Sequence, residues 1–310
     1  MNPKKLTKTG SRFFGWLTLL VCSLIVRFLP VRCLYAFAES LARIGFLIAV
    51  KQRKIALETL SIAFGQEKSH QELRKIAKDC FTFMASSGLE TLFFMKYTQL
   101  LKERVVIENK HILDEALSRA KGVILVSGHF GNFPLMMLRL AFEGYSVGGI
   151  MRPMRDQRVE RMFSKMRDSL GLRTISTQPR KACVEATIRA LRNNEVISFQ
   201  LDQNFGSGSG VFVEFFGQKA ATATGPVVFA LRTKAVILPC FIVRQKDNTH
   251  RIIFEQEFNL KQEDDFNRMV LLNIQRLTEI IESYIRRYPA HWGWIHRRWK
   301  TRPKGNSSAG

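Results

Sequence analysis

The sequence predicts an α/β fold: a mostly parallel mixed sheet flanked by helices, with an N-terminal helical membrane anchor. Three observations lead to this fold class. Short apolar runs of strand length alternate with longer segments of helical periodicity. The clearest of these runs ends in a turn that contains a histidine and two glycines, and the first 54 residues combine apolar helices with basic flanks. Alternating strands and helices are typical of a layered domain with a largely parallel sheet.

The chain begins with a basic segment followed by the apolar run Phe13–Val26, which lies between Arg12 and Arg27. As a helix this run is roughly 21 Å long at about 1.5 Å per residue, shorter than the ~30 Å hydrocarbon core of a bilayer. We expect an uncleaved anchor, either a strained span or an interfacial helix. The alternative is a signal peptide cleaved near Ala36–Ala38, but two arginines and a proline fill the region before that site.

A second apolar segment, Leu34–Val50, ends in the basic cluster 51–54. Basic residues that flank apolar helices favour an anionic leaflet and a cytoplasmic location. We therefore predict three regions: membrane-anchoring helices over residues 1–54, an α/β domain over 55–303, and a disordered polar tail over 304–310.

The central unit is the segment 122–144. Its run Val123–Val126 predicts a buried strand, and apolar residues at helical spacing from Leu135 onwards predict a helix. Between them, His129 lies in the turn 127–132, and Asn132 is placed to cap the helix. Ligands bind at this edge of open α/β sheets, although a purely structural histidine is the alternative.

The other elements follow from the same patterns. The predicted helices are Lys54–Phe64, Gln71–Tyr97, Leu113–Ala120, Val159–Leu170, Lys181–Leu191, Thr224–Arg232 and Phe266–Arg287. The predicted strands are Val105–Glu108, Val147–Met151, Arg173–Ile175, Val196–Leu201, Val211–Phe216, Val236–Val243 and Arg251–Phe258.

Polar side chains follow three of these strands, so we expect them to converge at one edge of the sheet. They are His129, the pair Arg152 and Arg155, and Asp202. A histidine is the natural general base near neutral pH, and arginine grips phosphate or carboxylate groups. The sequence has neither a G-x-S-x-G nucleophile motif nor a phosphate-binding P-loop.

The charge balance points to acidic partners. The chain has 48 Lys and Arg against 26 Asp and Glu, a formal net charge of +22. Nucleic acid, an anionic membrane or an acidic protein would fit. The five dispersed cysteines fit a reducing compartment and argue against a disulfide framework or a zinc site, so we expect no metal.

The C-terminal stretch 288–303 is rich in tryptophan and cations. Its tryptophans suit a membrane interface, and Arg297 and Arg298 suit phosphate. Base stacking on RNA is the competing interpretation. No nucleic-acid recognition motif supports it, so we expect no nucleic-acid partner.

Several ordered motifs together resemble the late (lauroyl/myristoyl) acyltransferases of lipid A biosynthesis, within the lysophospholipid acyltransferase superfamily. The resemblance covers most of the chain, up to Pro303. The motifs that carry it are Ser127–Asn132, Met151–Pro153, Leu201–Asn204, Gly210–Val213, Phe215–Gly217, Ala223–Pro226 and Trp294–Pro303.

This resemblance implies an enzyme of the bacterial inner membrane, with its catalytic domain on the cytoplasmic side. It would transfer a fatty acyl group from acyl carrier protein, an acidic partner, to a hydroxyl of an anionic glycolipid, a lipid A precursor, without a cofactor. His129 would deprotonate the acceptor hydroxyl. The residues expected to bind substrate are Asn132, Arg152, Arg155, Thr224, Arg297 and Arg298.

The chain departs from the family pattern at one position. The family has an acid at the fifth residue after its histidine, where this chain has Pro134. Proline cannot orient an imidazole, so either another carboxylate takes this role or catalysis is impaired. Our hypothesis is that Asp202 or Glu214 substitutes.

Other functions stay open on the sequence alone. The same chemistry on another acceptor, such as a phosphatidylinositol mannoside, another phospholipid or an aminolipid, is the first alternative. A non-catalytic lipid-binding relative is the second, and a basic nucleic-acid-binding membrane protein is the third.

Overall fold

The structure, a computed structural model, describes residues 3–206, 208 and 210–303, with the backbone alone at residues 3–12, 14 and 166. The predicted tail 304–310 lies outside the described residues. The described helices are α1 (Pro3–Val26), α2 (Val31–Ile48), α3 (Val50–Phe64), α4 (His70–Lys96), α5 (Leu101–Arg104), α6 (Lys110–Ser118), α7 (Phe133–Phe142), α8 (Gln157–Ser169), α9 (Arg180–Arg192), α10 (Gly225–Thr233) and α11 (Phe266–Arg287). The described strands are β1 (Val105–Glu108), β2 (Val123–Ser127), β3 (Val147–Met151), β4 (Arg173–Ser176), β5 (Val196–Gln200), β6 (Val211–Phe215), β7 (Gln218–Thr222), β8 (Val236–Arg244) and β9 (His250–Phe254).

Seven of the described strands form one sheet in the order β1-β9-β8-β2-β5-β3-β4. The five strands from β8 to β4 are parallel to one another, whereas β9 pairs antiparallel with β8 and β1 runs parallel to β9. The predicted mixed, mostly parallel sheet with flanking helices is therefore confirmed.

The central strand β2 is buried along its whole length, as its continuous apolar run predicts. Its alternate side chains enter two different hydrophobic clusters. Ile124 and Val126 pack with residues of α9, α10 and α11, whereas Val123 and Leu125 pack with residues of α6 and α7. The sheet thus has a helical layer on each face, and β2 is held from both sides.

Two strand predictions need correction. The strand β7 was not predicted, because its sequence Gln-Lys-Ala-Ala-Thr has no apolar alternation. It pairs with β6 in an antiparallel hairpin, closed at Phe216 and Gly217, which both have positive φ. The strand β9 ends at Phe254 and not at Phe258, because regular strand pairing stops there. The chain beyond Phe254 keeps two hydrogen bonds to β8, from the N–H groups of Glu255 and Phe258 to the carbonyl oxygens of Pro239 and Ile237.

The N-terminal helices α1 and α2 pack against α4. In the part of the chain that the structure describes, no single helix has the length and apolar character of a membrane span. The helices α2 and α3 reach that length and composition only together, as a pair bent by 90°.

Candidate active site

His129 and Asp202 meet at the carboxyl edge of the sheet. The strands β2 and β5 are parallel and in register, with Ser127 opposite Gln200. His129 and Asp202 each follow two residues after that pair, so their side chains lie at the same level. The imidazole Nδ1 is 2.8 Å from Asp202 Oδ1. Two of the three strand ends with polar groups therefore converge, as their positions predict.

Asp202 is buried and accepts three hydrogen bonds. Its Oδ1 accepts from His129 Nδ1, and its Oδ2 accepts from the His129 backbone N–H at 2.8 Å and from Trp292 Nε1 at 2.6 Å. Burial alone would raise the pKa of this carboxyl, but the electrostatic interaction with His129 and these hydrogen bonds outweigh burial and lower the pKa below its usual value. Asp202 is therefore a fixed carboxylate that holds the imidazole in one orientation.

The other imidazole nitrogen, Nε2, lies 2.9 Å from the side-chain amide nitrogen of Gln203. Because Nδ1–H is donated to Asp202, this hydrogen-bond network assigns the lone pair to Nε2, which accepts from the Gln203 amide. An unprotonated Nε2 is the form that a general base requires. The histidine and carboxylate are arranged as in hydrolase triads, where the carboxylate orients the imidazole through Nδ1.

The turn that carries His129 depends on Gly131. Its φ is +61°, and a Cβ added there would overlap the carbonyl oxygen of Ile242, so only glycine fits. Its N–H donates to the carbonyl oxygen of His291 at 2.8 Å. The turn is thus held between β8 and the C-terminal segment.

Asn132 caps α7, and its side chain belongs to a buried network rather than to the cavity described below. Its Oδ1 accepts from the backbone N–H of Leu135 at 3.3 Å, and its Nδ2 donates to Glu90 Oε2 at 3.0 Å. The predicted substrate-binding role of Asn132 therefore finds no support in its position. Asn132 instead fixes the helix that follows the histidine turn.

Glu90 is the centre of that buried network. It accepts from Arg244 Nη2 at 2.6 Å and from His250 Nε2 at 3.1 Å. Burial would raise the pKa of Glu90, but His250 and Arg244 lower it to about 2. A fully ionised carboxylate thus lies directly behind the histidine turn.

The C-terminal tryptophans form part of the core, and their predicted place at a membrane interface is wrong. Trp292, Trp294 and Trp299 are only 1%, 0% and 7% exposed. Trp292 Nε1 donates to the Asp202 carboxylate, and Trp294 Nε1 donates to the carbonyl oxygen of Pro289 at 2.6 Å. Their polar atoms find partners inside the protein, which explains how such large amphipathic rings are buried.

The two C-terminal arginines differ in role. Arg298 is buried, and its Nη1 donates to the carbonyl oxygens of Gln203 at 3.0 Å and Ala221 at 2.6 Å. Burial lowers its pKa to about 10. These hydrogen bonds position the segment after Asp202, and the predicted phosphate-binding role of Arg298 finds no support in its position. Arg297 is exposed and does not line the cavity.

His129 lies in the wall of a cavity of about 1430 Å³, larger than the roughly 300–1,000 Å³ of ordinary small-molecule sites. Its walls come from α1, α2, α4, α7, β3, α8, α9, β5 and α10. Arg152 and Thr224 line this cavity, whereas Arg155 is exposed and does not. The third polar strand end thus contributes Arg152 to the same cavity as His129.

Glu214 lies on the exposed side of the β6–β7 hairpin, where its Oε1 is 3.1 Å from Lys219 Nζ. It does not line the cavity. Both nitrogens of His129 already have partners in Asp202 and Gln203. The structure therefore brings Asp202, and not Glu214, to the histidine. Pro134, at the family's acid position, lines the cavity.

Three participants in this site were not predicted from the sequence: Gln203, Trp292 and Glu90. Gln203 follows Asp202 directly, and Glu90 interrupts a Phe-rich helix surface, so both left a signal. The role of Trp292 left none, because it approaches Asp202 from 90 residues away in sequence. Among the described residues, no three His, Cys, Asp or Glu side chains are grouped to hold a metal ion.

Known proteins similar to this chain point in one direction. A family model described as bacterial lipid A biosynthesis acyltransferase matches residues 2–301. The Escherichia coli K12 lipid A biosynthesis lauroyltransferase is 27% identical over 296 residues, 94% of this chain and 92% of that protein. The palmitoleoyltransferase of the same strain is 27% identical over 83% of this chain and 82% of its own length. The phosphatidylinositol mannoside acyltransferase of Mycolicibacterium smegmatis is 24% identical over 66% of this chain and 65% of its own.

Proposed function

Since this chain belongs to the bacterial lipid A biosynthesis acyltransferase family, we propose that it transfers a fatty acyl group from acyl carrier protein to a hydroxyl of a lipid A precursor. The observation that carries the proposal is the His129–Asp202 pair in the wall of a large, mostly apolar cavity. The donor, the acceptor and the histidine base are all part of this proposal.

The reaction follows from the orientation of His129. Its Nε2 takes the proton of the acceptor hydroxyl, and the oxygen attacks the thioester carbonyl carbon. A new C–O bond forms and the C–S bond breaks, and the departing thiolate recovers the proton from the imidazolium. Asp202 stabilises that imidazolium, while Gln203 holds Nε2 in place until the acceptor hydroxyl replaces its amide.

Three arginines favour an anionic substrate. Arg152, Arg180 and Arg232 line the cavity, and within the described residues no carboxylate pairs with any of them. The cavity carboxylate Glu160 is instead taken by Arg167 at 2.9 Å. Unpaired guanidinium groups bind phosphates of a glycolipid or of a carrier protein's prosthetic group.

We further propose that residues 1–54 dock the protein on the inner membrane and that residues 55–303 carry the transferase on its cytoplasmic side. The tail 304–310 has no part in this proposal. Exposed apolar and basic residues at the junction of α2 and α3 support docking from the cytoplasmic face, where anionic lipids attract positive charge.

The test uses the purified full chain in mixed micelles. Acyl carrier protein loaded with a radiolabelled acyl chain serves as donor, and a tetra-acylated lipid A precursor serves as acceptor. We expect label in the lipid with wild type and at least a hundredfold lower rate with His129→Ala, since general bases contribute about 10²–10⁴.

Parallel reactions separate the alternatives. Replacing the carrier protein by the coenzyme A thioester tests the donor, and replacing the precursor by phosphatidylinositol mannoside or a mixed phospholipid pool tests the acceptor. Faster transfer in a replacement reaction would assign that substrate instead. Failure to transfer in every combination, across several chain lengths, would contradict the proposal.

A further inference from the structure

Helix α1 forms a wall of the cavity. The residues of α1 that line it are Gly15, Thr18, Leu19 and Cys22. Their spacing of three, four and seven places them on one face of the helix. The outward residues Leu17, Val21 and Leu24 are 38–45% exposed. The predicted anchor helix therefore has one face toward the cavity and another toward the surroundings.

Contacts with α8 hold this wall in place. The guanidinium of Arg158 lies 4.7 Å from the ring centre of Trp16 and 5.5 Å from that of Phe13. Asp156 accepts hydrogen bonds from Arg158 Nε at 3.1 Å and Nη2 at 2.7 Å and so fixes that guanidinium. The start of α1 is thus attached to the loop and helix that follow Arg152.

Two glycines leave open space on the helical side of the cavity. Gly15 of α1 and Gly88 of α4 both line it, and a Cβ added at either position would meet no atom within 4 Å. A glycine in the middle of a helix makes the helix less stable than most other residues would. The nearby cavity-lining residues Leu19, Ala85 and Leu89 are apolar, so the open space at these two positions lies in an apolar part of the wall.

We propose that α1 is the outer wall of the acyl-chain site, and that Gly15 and Gly88 are specificity-determining positions that admit the far part of the chain. The proposal rests on the proposed function, because it identifies the occupant of this apolar volume as the transferred fatty acyl chain. Each methylene that loses its buried place weakens binding by about fourfold. A side chain that fills the space beside either glycine reduces the length of the acyl chain that the site can hold.

The experiment compares Gly15→Leu and Gly88→Leu with wild type and a matched control. The control is Gly45→Leu, because Gly45 lies in helix α2, has the same open space around an added Cβ, and does not line the cavity. Leucine favours a helix over glycine, so none of the three changes opposes helix formation. Circular dichroism verifies the fold of each protein.

Transfer rates are measured with saturated acyl chains of eight to eighteen carbons. For each cavity variant we expect the rate ratio of the preferred chain to one four carbons shorter to fall at least tenfold, while Gly45→Leu keeps the wild-type profile. Unchanged chain-length profiles in both cavity variants would overturn the proposal.

A second readout needs no transfer. Binding of the fluorescent C18 fatty acid parinaric acid is expected to weaken at least tenfold in both cavity variants and to stay unchanged in Gly45→Leu. If wild type transfers to no acceptor but this binding pattern holds, the acyl-chain site stands and the proposed function fails. If wild type transfers but both readouts are the same in all four proteins, the acyl-chain site fails and the proposed function stands.

Discussion

At the residue scale, the orientation of His129 depends on the few groups that hold Asp202. A buried carboxylate is stabilised only where hydrogen bonds replace its lost hydration. Here the replacements are the imidazole, one backbone N–H and the indole of Trp292. A carboxylate held by three groups, two from the histidine turn and one from the C-terminal segment, has one available position, so the imidazole that it binds is held in one orientation as well.

The indole of Trp292 gives the first prediction. Trp292→Phe keeps an aromatic ring in the core but removes the donor to Asp202 Oδ2. A hydrogen bond to a charged group contributes about 1.5–3 kcal/mol, so we expect kcat to fall between about tenfold and a hundredfold while the protein stays folded. Steady-state acyl transfer measures it. Trp294→Phe is the matched control, because its Nε1 binds the Pro289 carbonyl and not the site; equal losses in both variants would contradict the role of Trp292.

Sequence reasoning at this scale succeeded where strand ends fixed the geometry. The positions of His129, Arg152 and Asp202 follow from strands that were predicted almost to the residue. It did not place Arg298 and Asn132 in their buried networks, because residues of these types suit a substrate contact and a buried network equally well. Whether such a side chain is buried or faces a substrate depends on contacts between segments that are distant in sequence.

At the element scale, the segment after α11 acts as a clamp on the histidine turn. The carbonyl oxygen of His291 accepts from Gly131 N–H, and Phe130 forms an isolated bridge with Trp292. The ring of His291 stacks on Phe83 of α4 at 4.2 Å. Burial, together with the charge of Arg244, lowers the pKa of His291 to about 3.

That lowered pKa predicts a pH-dependent stability. Between about pH 3 and pH 6.5 the unfolded chain binds a proton at His291 that the folded chain excludes, so the free energy of unfolding rises with pH in this window. The slope from one such group is at most about 1.4 kcal/mol per pH unit. Urea unfolding in micelles at pH 5 to 6.5, followed by tryptophan fluorescence, should give a smaller slope for His291→Phe than for wild type. An unchanged slope would contradict this assignment.

The elements that sequence patterns missed share a physical cause. The strand β7 carries no apolar alternation, and it is held by antiparallel pairing with β6, which packs on α11 where Glu214 N–H donates to Gln275 Oε1 at 2.7 Å. The C-terminal segment is irregular and is stabilised by buried tryptophans rather than by a repeating pattern. Periodicity predicts elements that bury one face, and neither of these segments does so in a regular way.

At the scale of the whole molecule, an excess of positive charge accompanies an apolar elbow between α2 and α3. Its exposed residues Leu47 and Ile48 are 68% and 75% exposed, next to the basic cluster 51–54. The outward face of α1 is a second exposed apolar surface, and the basic cluster 51–54 follows the elbow directly in sequence. Such a combination binds anionic interfaces through burial and charge together.

Vesicle binding tests this surface. We expect the full chain to bind vesicles containing phosphatidylglycerol and to release them as salt rises, because about 1 kcal/mol per basic residue near the surface is electrostatic. Ile48→Asp should weaken binding at least tenfold in a sedimentation assay. Leu271→Asp, a change at an exposed apolar residue of α11, should leave binding unchanged. Equal effects of both substitutions would contradict the elbow as the docking surface.

The central claim is that Asp202 supplies the carboxylate that Pro134 cannot. The most direct measurement compares kcat for acyl transfer to the lipid A precursor in wild type, Asp202→Asn and Glu214→Gln. We predict at least a hundredfold loss of kcat in Asp202→Asn, because the imidazole loses its orienting charge. For Glu214→Gln we predict a kcat within about twofold of wild type, because Glu214 is exposed and its loss removes only a surface charge. Full activity in Asp202→Asn, or a comparable loss in Glu214→Gln, would contradict the account.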